Sequence, residues 1–266
     1  MTGTGNIKED KKKPSLSPRA RLFVNDPLAA GVSIGLKPAQ AHYLRHVLRL
    51  KAGDGIALFN GSDGEWSAAI AGFGKGWASV DVLEALGPQV VESDLWLLFA
   101  PIKHGRIDYL AQKATELGVS VLQPVITART NVTRVNTERL KANAVEAAQQ
   151  TGRVSVPEVR PTVSLEAALE NWPADRRLMF CDETGSGRPV AEVLASEAAP
   201  AGVPWAVLIG PEGGFTAGEL DALGKLAFVM PVSLGPRLLR ADTAAVAALA
   251  CWQAALGDWA SETPGS

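Results

Sequence analysis

From Arg21 to Ala85 the apolar residues come in short runs, RLFV, GVSIGL, GIALFN, EWSAAIAGF and ASVDVLEAL, separated by Gly, Asp and Asn clusters. Such runs predict short strands at close spacing, the pattern of a small β-barrel. One segment has another period. In PAQAHYLRHVLRLKAG, Pro38 suits a first helical turn, Leu44, Val47 and Leu48 share a face, and Gly53 lies just past the end, so a single helix interrupts the strands. After Gly87-Pro88 the pattern changes. DLWLLFAPI, VSVLQPVI, RRLMFCDE, WAVLIG and FVMPVSL read as strands, and RIDYLAQKATELG, ERLKANAVEAAQQ, TAGELDALGKL and ADTAAVAALACWQAAL read as helices between or after them. Alternation of this kind predicts an α/β domain with a parallel sheet covered on both faces. The expected organisation is a flexible leader at 1–18, a small β domain at 19–88, the α/β domain at 89–258 and a tail at 259–266.

A chain of 266 residues suits two compact units better than one core. With 47% hydrophobic and 20% charged residues, wholesale disorder and a coiled coil are excluded. No apolar stretch approaches the ~20 residues that cross a bilayer, and the opening MTGTGNIKEDKKKPSLSP has no apolar segment behind its lysines. The expectation is a cytoplasmic protein without a membrane partner, its Cys181 and Cys251 being buried thiols of a reducing compartment. His42 and His46 have the i, i+4 spacing of two zinc ligands, but no third ligand is near in sequence, so no metal is expected. Charge is uneven: residues 1–88 carry 11 Lys+Arg against 8 Asp+Glu, while the remainder carries 15 against 20. A wholly basic nucleic-acid binder is excluded, but a local basic face remains. Arg21, Arg45, Arg49 and Lys51, with Lys103 and Arg106 further on, are the candidate RNA contacts.

Two stretches stand out chemically. Leu208 to Glu219, LIGPEGGFTAGE, runs from a strand into three closely spaced glycines, after which Thr216 and Glu219 stand at capping-box spacing. Val232 to Ala245, VSLGPRLLRADTAA, again leads from a strand end through Gly-Pro into a helix, now with Arg237 and Arg240 and an Asp242-Thr243 pair. Glycines at the carboxyl ends of parallel strands let a backbone approach a ligand, and two such loops at neighbouring strands converge on one crevice. Neither loop is a P-loop or a dinucleotide fingerprint, because the lysine of the first and the glycine spacing of the second are missing.

In this order and spacing, the two stretches resemble the closing motifs of the RsmE family, which methylates N3 of one uridine in 16S ribosomal RNA of the small subunit with S-adenosylmethionine. LGPRLLRADTA departs from the family pattern mildly, with Leu238 in place of Ile and Asp242 in place of Glu. AQKATELGV, Thr127-Ala128-Arg129, EAAQQTGR with Arg153, and AHYLRHVLRLKAGD followed by LFNG extend the resemblance over nearly all of residues 20–257.

The resemblance implies a SPOUT-class fold, a parallel sheet with a carboxyl-terminal trefoil knot, preceded by a PUA-like barrel. It also implies a homodimer that acts on the small ribosomal subunit without a metal. Leu208, Gly210, Pro211, Glu212, Gly213, Gly214, Leu234, Gly235, Leu238, Leu239, Arg240 and Thr243 are then the expected cofactor contacts. A uracil losing its N3 proton becomes an anion that guanidinium groups favour, which makes Arg129, Arg153, Arg237 and Arg240 the expected catalytic set. The alternative is a non-catalytic RNA- or ribosome-binding protein of the same fold, and a weaker one is an enzyme acting on a small nucleotide.

Overall fold

The computed structural model describes residues 16–103, 105–132, 134–197 and 202–260. Most of the expected leader, the last six residues of the tail, and His104 lie outside the described residues. The chain divides into two compact units, residues 1–89 and 90–266.

In the first unit, strands β1 (Arg21–Phe23), β2 (Ser33–Leu36), β3 (Gly55–Phe59), β4 (Glu65–Phe73) and β5 (Ala78–Gly87) form one ladder in the order β1-β3-β4-β5-β2. All its pairs are antiparallel except β1 with β3. Period-two alternation turns Ile34, Leu36, Ile56, Leu58, Ile70, Val80 and Val82 into a core with Leu22, Leu44 and Leu50.

The interrupting helix departs from expectation. Helix α1 (Pro38–His42) passes directly into one π-turn, Tyr43–Val47, and Arg49 follows at φ +56°. The wider turn breaks the 3.6-residue period. Leu44 stays buried, but Val47, expected on the same face, is 58% exposed.

The second unit contains strands β6 (Leu95–Phe99), β7 (Val121–Ile126), β8 (Glu158–Val159), β9 (Val163–Ser164), β10 (Arg177–Cys181), β11 (Arg188–Pro189), β12 (Trp205–Ile209) and β13 (Val229–Ser233). The helices are α2 (Arg106–Glu116), α3 (Thr137–Thr151), α4 (Leu165–Glu170), α5 (Val190–Ser196), α6 (Ala217–Gly224) and α7 (Ala241–Leu256). The strands run in the order β11-β13-β10-β12-β6-β7-β8, with β9 joined to β7, and every pairing is parallel.

Side chains alternate across the sheet. Leu95, Leu97, Phe99, Met179, Trp205 and Val207 face α2, α5 and α7, while Leu98, Leu178, Phe180, Ala206 and Leu208 pack with Leu165, Phe215 and Leu223 on the other side. A sheet covered on both faces explains why its strands read as continuous apolar runs. The elements that sequence did not predict, β8, β9, β11, α4 and α5, are too short to show a period. Gln253 is buried on α7, where its amide donates to the Leu117 carbonyl at 2.7 Å and fastens α7 to the end of α2.

Arg153 is not where its expected role would need it. Its guanidinium is buried before the amino-terminal edge of the sheet, paired with Glu92 and donating to the carbonyls of Thr115 at 2.7 Å and Val119 at 2.8 Å. Within this chain it ties α3 to the α2–β7 turn. Arg21 is likewise absorbed by packing, since Nε donates to Glu65 at 2.5 Å and the guanidinium lies 4.8 Å from the centre of the Phe59 ring.

Candidate functional site

Strands β13, β10 and β12 are neighbours, with Cys181 opposite Val232 and Phe180 opposite Leu208. The loops leaving their carboxyl ends, 182–187, 210–216 and 234–240, therefore emerge side by side. They enclose a cleft of about 650 Å³ and a smaller chamber of about 360 Å³, with Cys181, Glu183, Leu238, Leu239 and Ala244 lining both. Together these volumes suit a nucleoside carrying an amino-acid chain.

The first glycine loop is held from two sides. Gly214, at φ +69°, donates to the Pro211 carbonyl at 2.9 Å and closes a tight turn. Phe215 then drops into the core edge-on to Phe180, and its N–H donates to the Glu183 carboxylate at 2.8 Å. On the outer side Arg129 donates to the carbonyls of Gly213 and Phe215, and the Ala128 N–H donates to Glu219. Thr216 and Glu219 form the expected capping box at the start of α6. Burial raises the Glu219 carboxyl, but hydrogen bonds from Thr216 and Ala128, aided by the Arg129 charge, outweigh it and hold it below the ordinary carboxylate range.

The second loop turns at Gly235, φ +105°, and ends where Arg240 caps α7 through its extended backbone. Gly235, Arg237, Leu238 and Leu239 line the larger cleft, and Arg240 lines the smaller chamber. Leu238 is 83% exposed at the shared rim. Among the described residues neither the Arg237 nor the Arg240 side chain has a hydrogen bond or an ion pair. Asp242, a candidate partner for Arg240, faces Arg106 instead, with 3.9 Å between Oδ2 and Nε.

Sequence reasoning missed the third loop, Asp182-Glu183-Thr184-Gly185-Ser186-Gly187. Burial raises the Asp182 carboxyl, but bonds from Ser186 and Thr184 prevail and keep it below its usual range, which holds the loop in shape. Its signal was present as another Gly-rich polar run directly after a strand. Cys181 forms the floor, where burial pushes its thiol up to about 12 and leaves it un-ionised.

The remaining expected residues divide. Gly210, Pro211, Glu212 and Gly214 line the smaller chamber, and Leu234 lines the larger cleft. The Leu208 side chain points into the core on the other face of the sheet. A side chain at Gly213 would meet Arg129, 3.3 Å from its Cβ, so this glycine backs the loop without lining the cleft. Thr243 is exposed on the first turn of α7. Arg106 pairs with Glu212 across the chamber wall at 2.7 Å, while Lys103 is exposed just before α2. In the first unit, Arg45, Arg49 and Lys51 are exposed beside His42 and His46, whose rings lie 4.8 Å apart. Among the described residues no three His, Cys, Asp or Glu side chains are grouped to hold a metal ion, and no helix is long and apolar enough to cross a membrane.

The cleft's donors and acceptors fit S-adenosylmethionine. Backbone groups of glycine loops suit an adenine edge, hydroxyl and carboxylate groups of 182–187 suit ribose hydroxyls, and carboxylates suit a sulfonium and an ammonium. Comparison with known proteins agrees. A family model described as an RNA methyltransferase domain matches residues 91–253, and one described as the RNA methyltransferase PUA domain matches 36–83. Ribosomal RNA small subunit methyltransferase E of Rickettsia conorii is 33% identical over 231 residues, covering 86% of this chain and 93% of that protein. Its Synechocystis namesake is 32% identical over 246 residues, 91% of this chain and 80% of that protein. Among solved structures, ribosomal RNA small subunit methyltransferase E of Neisseria gonorrhoeae, bound to S-adenosylmethionine, superimposes with a TM-score of 0.81 at 28% identity, covering 90% of this chain and 99% of that one. A Legionella pneumophila protein solved in complex with the same cofactor gives a TM-score of 0.79 at 30% identity, covering 90% of this chain and 98% of that one.

Proposed function

Because the chain belongs to the ribosomal RNA small subunit methyltransferase E family, and so is a methyltransferase that uses S-adenosylmethionine on ribosomal RNA, we propose that it methylates N3 of one uridine in 16S RNA of the small subunit. In this reading it works in the cytoplasm as a homodimer, with the trefoil knot of the SPOUT class in its last strands and α7. The observation that carries the proposal is the convergence of loops 182–187, 210–216 and 234–240 at three adjacent strand ends, with an unpaired Arg240 in the chamber wall.

The cofactor supplies a methyl group already activated by its sulfonium, so the chain's task is placement and charge. Gly210, Gly214 and Gly235 keep side chains out of the loops that border it. Arg129 and Glu183 fix the first loop from opposite sides. Arg240, with Arg237 beside it, stabilises the uracil as N3 loses its proton, since a guanidinium interacts more strongly with the anion than with the neutral base. Arg129 and Arg153 take structural parts in this reading.

Purified protein given labelled cofactor and small subunits from cells lacking it should transfer one methyl group per subunit and none to large subunits. Cofactor binding without any transfer would refute the proposal.

The exposed basic face of the first unit is assigned to phosphate contact through Arg45, Arg49 and Lys51; Arg21 is not part of it. Replacing Arg45 and Arg49 with Ala should weaken binding to small subunits and lower the salt slope by up to about two, without altering cofactor affinity. Salt dependence equal to that of the wild type would remove this face from the account.

A further inference from the structure

Arg106 stands in the wall of the smaller chamber, although its sequence position pointed to an RNA track. Its Nη1 donates to Glu212 of the first glycine loop at 2.7 Å, and its Nε lies 3.9 Å from Asp242 in the first turn of α7. It is also the first residue of α2, after Gly105 at φ +86°. A cation at a helix amino terminus is opposed by the helix dipole. The two carboxylates are what favour it there.

The bridge starts from a rigid base, because α2 packs into the core through Ile107, Leu110 and Ala114 and is tied to α7 through Gln253. Glu212 and Asp242 belong to segments that follow different strands, and no other ion pair among the described residues joins them. With Arg106 absent, both acids would lose the cation that pairs with them.

We infer that Arg106 is a positioning residue that, through Glu212 and Asp242, fixes the first glycine loop against the start of α7 at the spacing the cofactor needs. By occupying both carboxylates it also leaves Arg240 free for the reacting base. This inference rests on the reading of the cleft as a cofactor site.

The pairs are partly solvated, so their loss should change stability little. An unfastened loop must instead be ordered at binding, and the effect falls on affinity. Calorimetry on the full chain should show Arg106→Ala raising the cofactor Kd about tenfold, with the melting temperature within ~2 °C of wild type. Arg106→Lys should recover part of the loss, because one ammonium replaces a fork that meets two acids. Glu212→Gln should weaken binding by itself, and the double variant should be no weaker than the worse single variant.

Wild-type affinity in Arg106→Ala, or multiplying losses in the double variant, would overturn the inference. So would unchanged cofactor affinity with a salt slope for RNA lowered by about one, since Arg106 would then be a phosphate contact. A wild-type chain that binds no S-adenosylmethionine would instead sink the reading of the cleft, and this inference with it.

Discussion

Arg240→Ala is expected to lower the turnover number by about 10² or more while leaving cofactor affinity nearly intact. The guanidinium sits directly before α7 and lines the chamber without a partner among the described residues, because Arg106 takes the adjacent Asp242. An arginine pairing with Asp242 would have had a local role in shaping the loop, and its loss would have reduced binding and stability together. An arginine left unpaired at a chamber wall can act on charge that develops during reaction. Uracil N3 becomes anionic as its proton leaves, so the contribution of Arg240 appears in the transition state more than in the ground state. Alkaline conditions should therefore restore part of the variant's rate, because more of the base is then ionised without help. Single-turnover rates at two pH values read both effects. Turnover close to wild type, or a loss explained entirely by cofactor affinity, would remove Arg240 from the catalytic role.

The second large effect belongs to Gly214. Its φ of +69° disfavours L side chains, and an added Cβ would lie 2.5 Å from the Glu183 carboxylate that receives the Phe215 N–H. A β-branched residue there strains the backbone and displaces that acceptor, so the turn at the chamber mouth cannot keep its shape. Gly214→Val should raise the cofactor Kd at least ~10²-fold, with a far smaller loss of fold because the core beneath is unaltered. Gly213 provides the control. It has an ordinary φ and a tight but yielding 3.3 Å approach to Arg129, so Gly213→Ala should change affinity only slightly. Calorimetry on both variants checks this, and equal losses would mean that the loop senses side-chain bulk rather than the conformation of Gly214.

What was legible in the chain follows from how local each signal is. The strands of the first unit, β6, β7, β10, β12 and β13 of the second, and helices α2, α3, α6 and α7 show in the sequence because their apolar patterns extend over enough residues to be seen. The two glycine loops show because a strand, glycines and a capping box follow each other within a few positions. Arg153 misled because the groups that hold it, on Glu92, Thr115 and Val119, lie between 34 and 61 residues away in the chain. Arg106 and Glu212 are 106 positions apart, and no spacing rule links them. Arg21 and Glu65, 44 apart, are joined only when β1 comes to lie beside β3. Loop 182–187 was hidden differently. Its Gly-Ser-Gly run has the same composition as an ordinary turn, and only the adjacency of β10 to both β12 and β13 makes it a third wall of the cleft.

This chain is expected to place a methyl group on uridine N3 of small-subunit RNA, and nucleoside mass analysis of that RNA reads the outcome. In cells lacking the protein, 3-methyluridine should be missing at one position, returning with the wild-type chain and returning poorly with Arg240→Ala. Unchanged 3-methyluridine in those cells, or a lost methyl group that maps to uracil C5 or to a ribose hydroxyl, would contradict it.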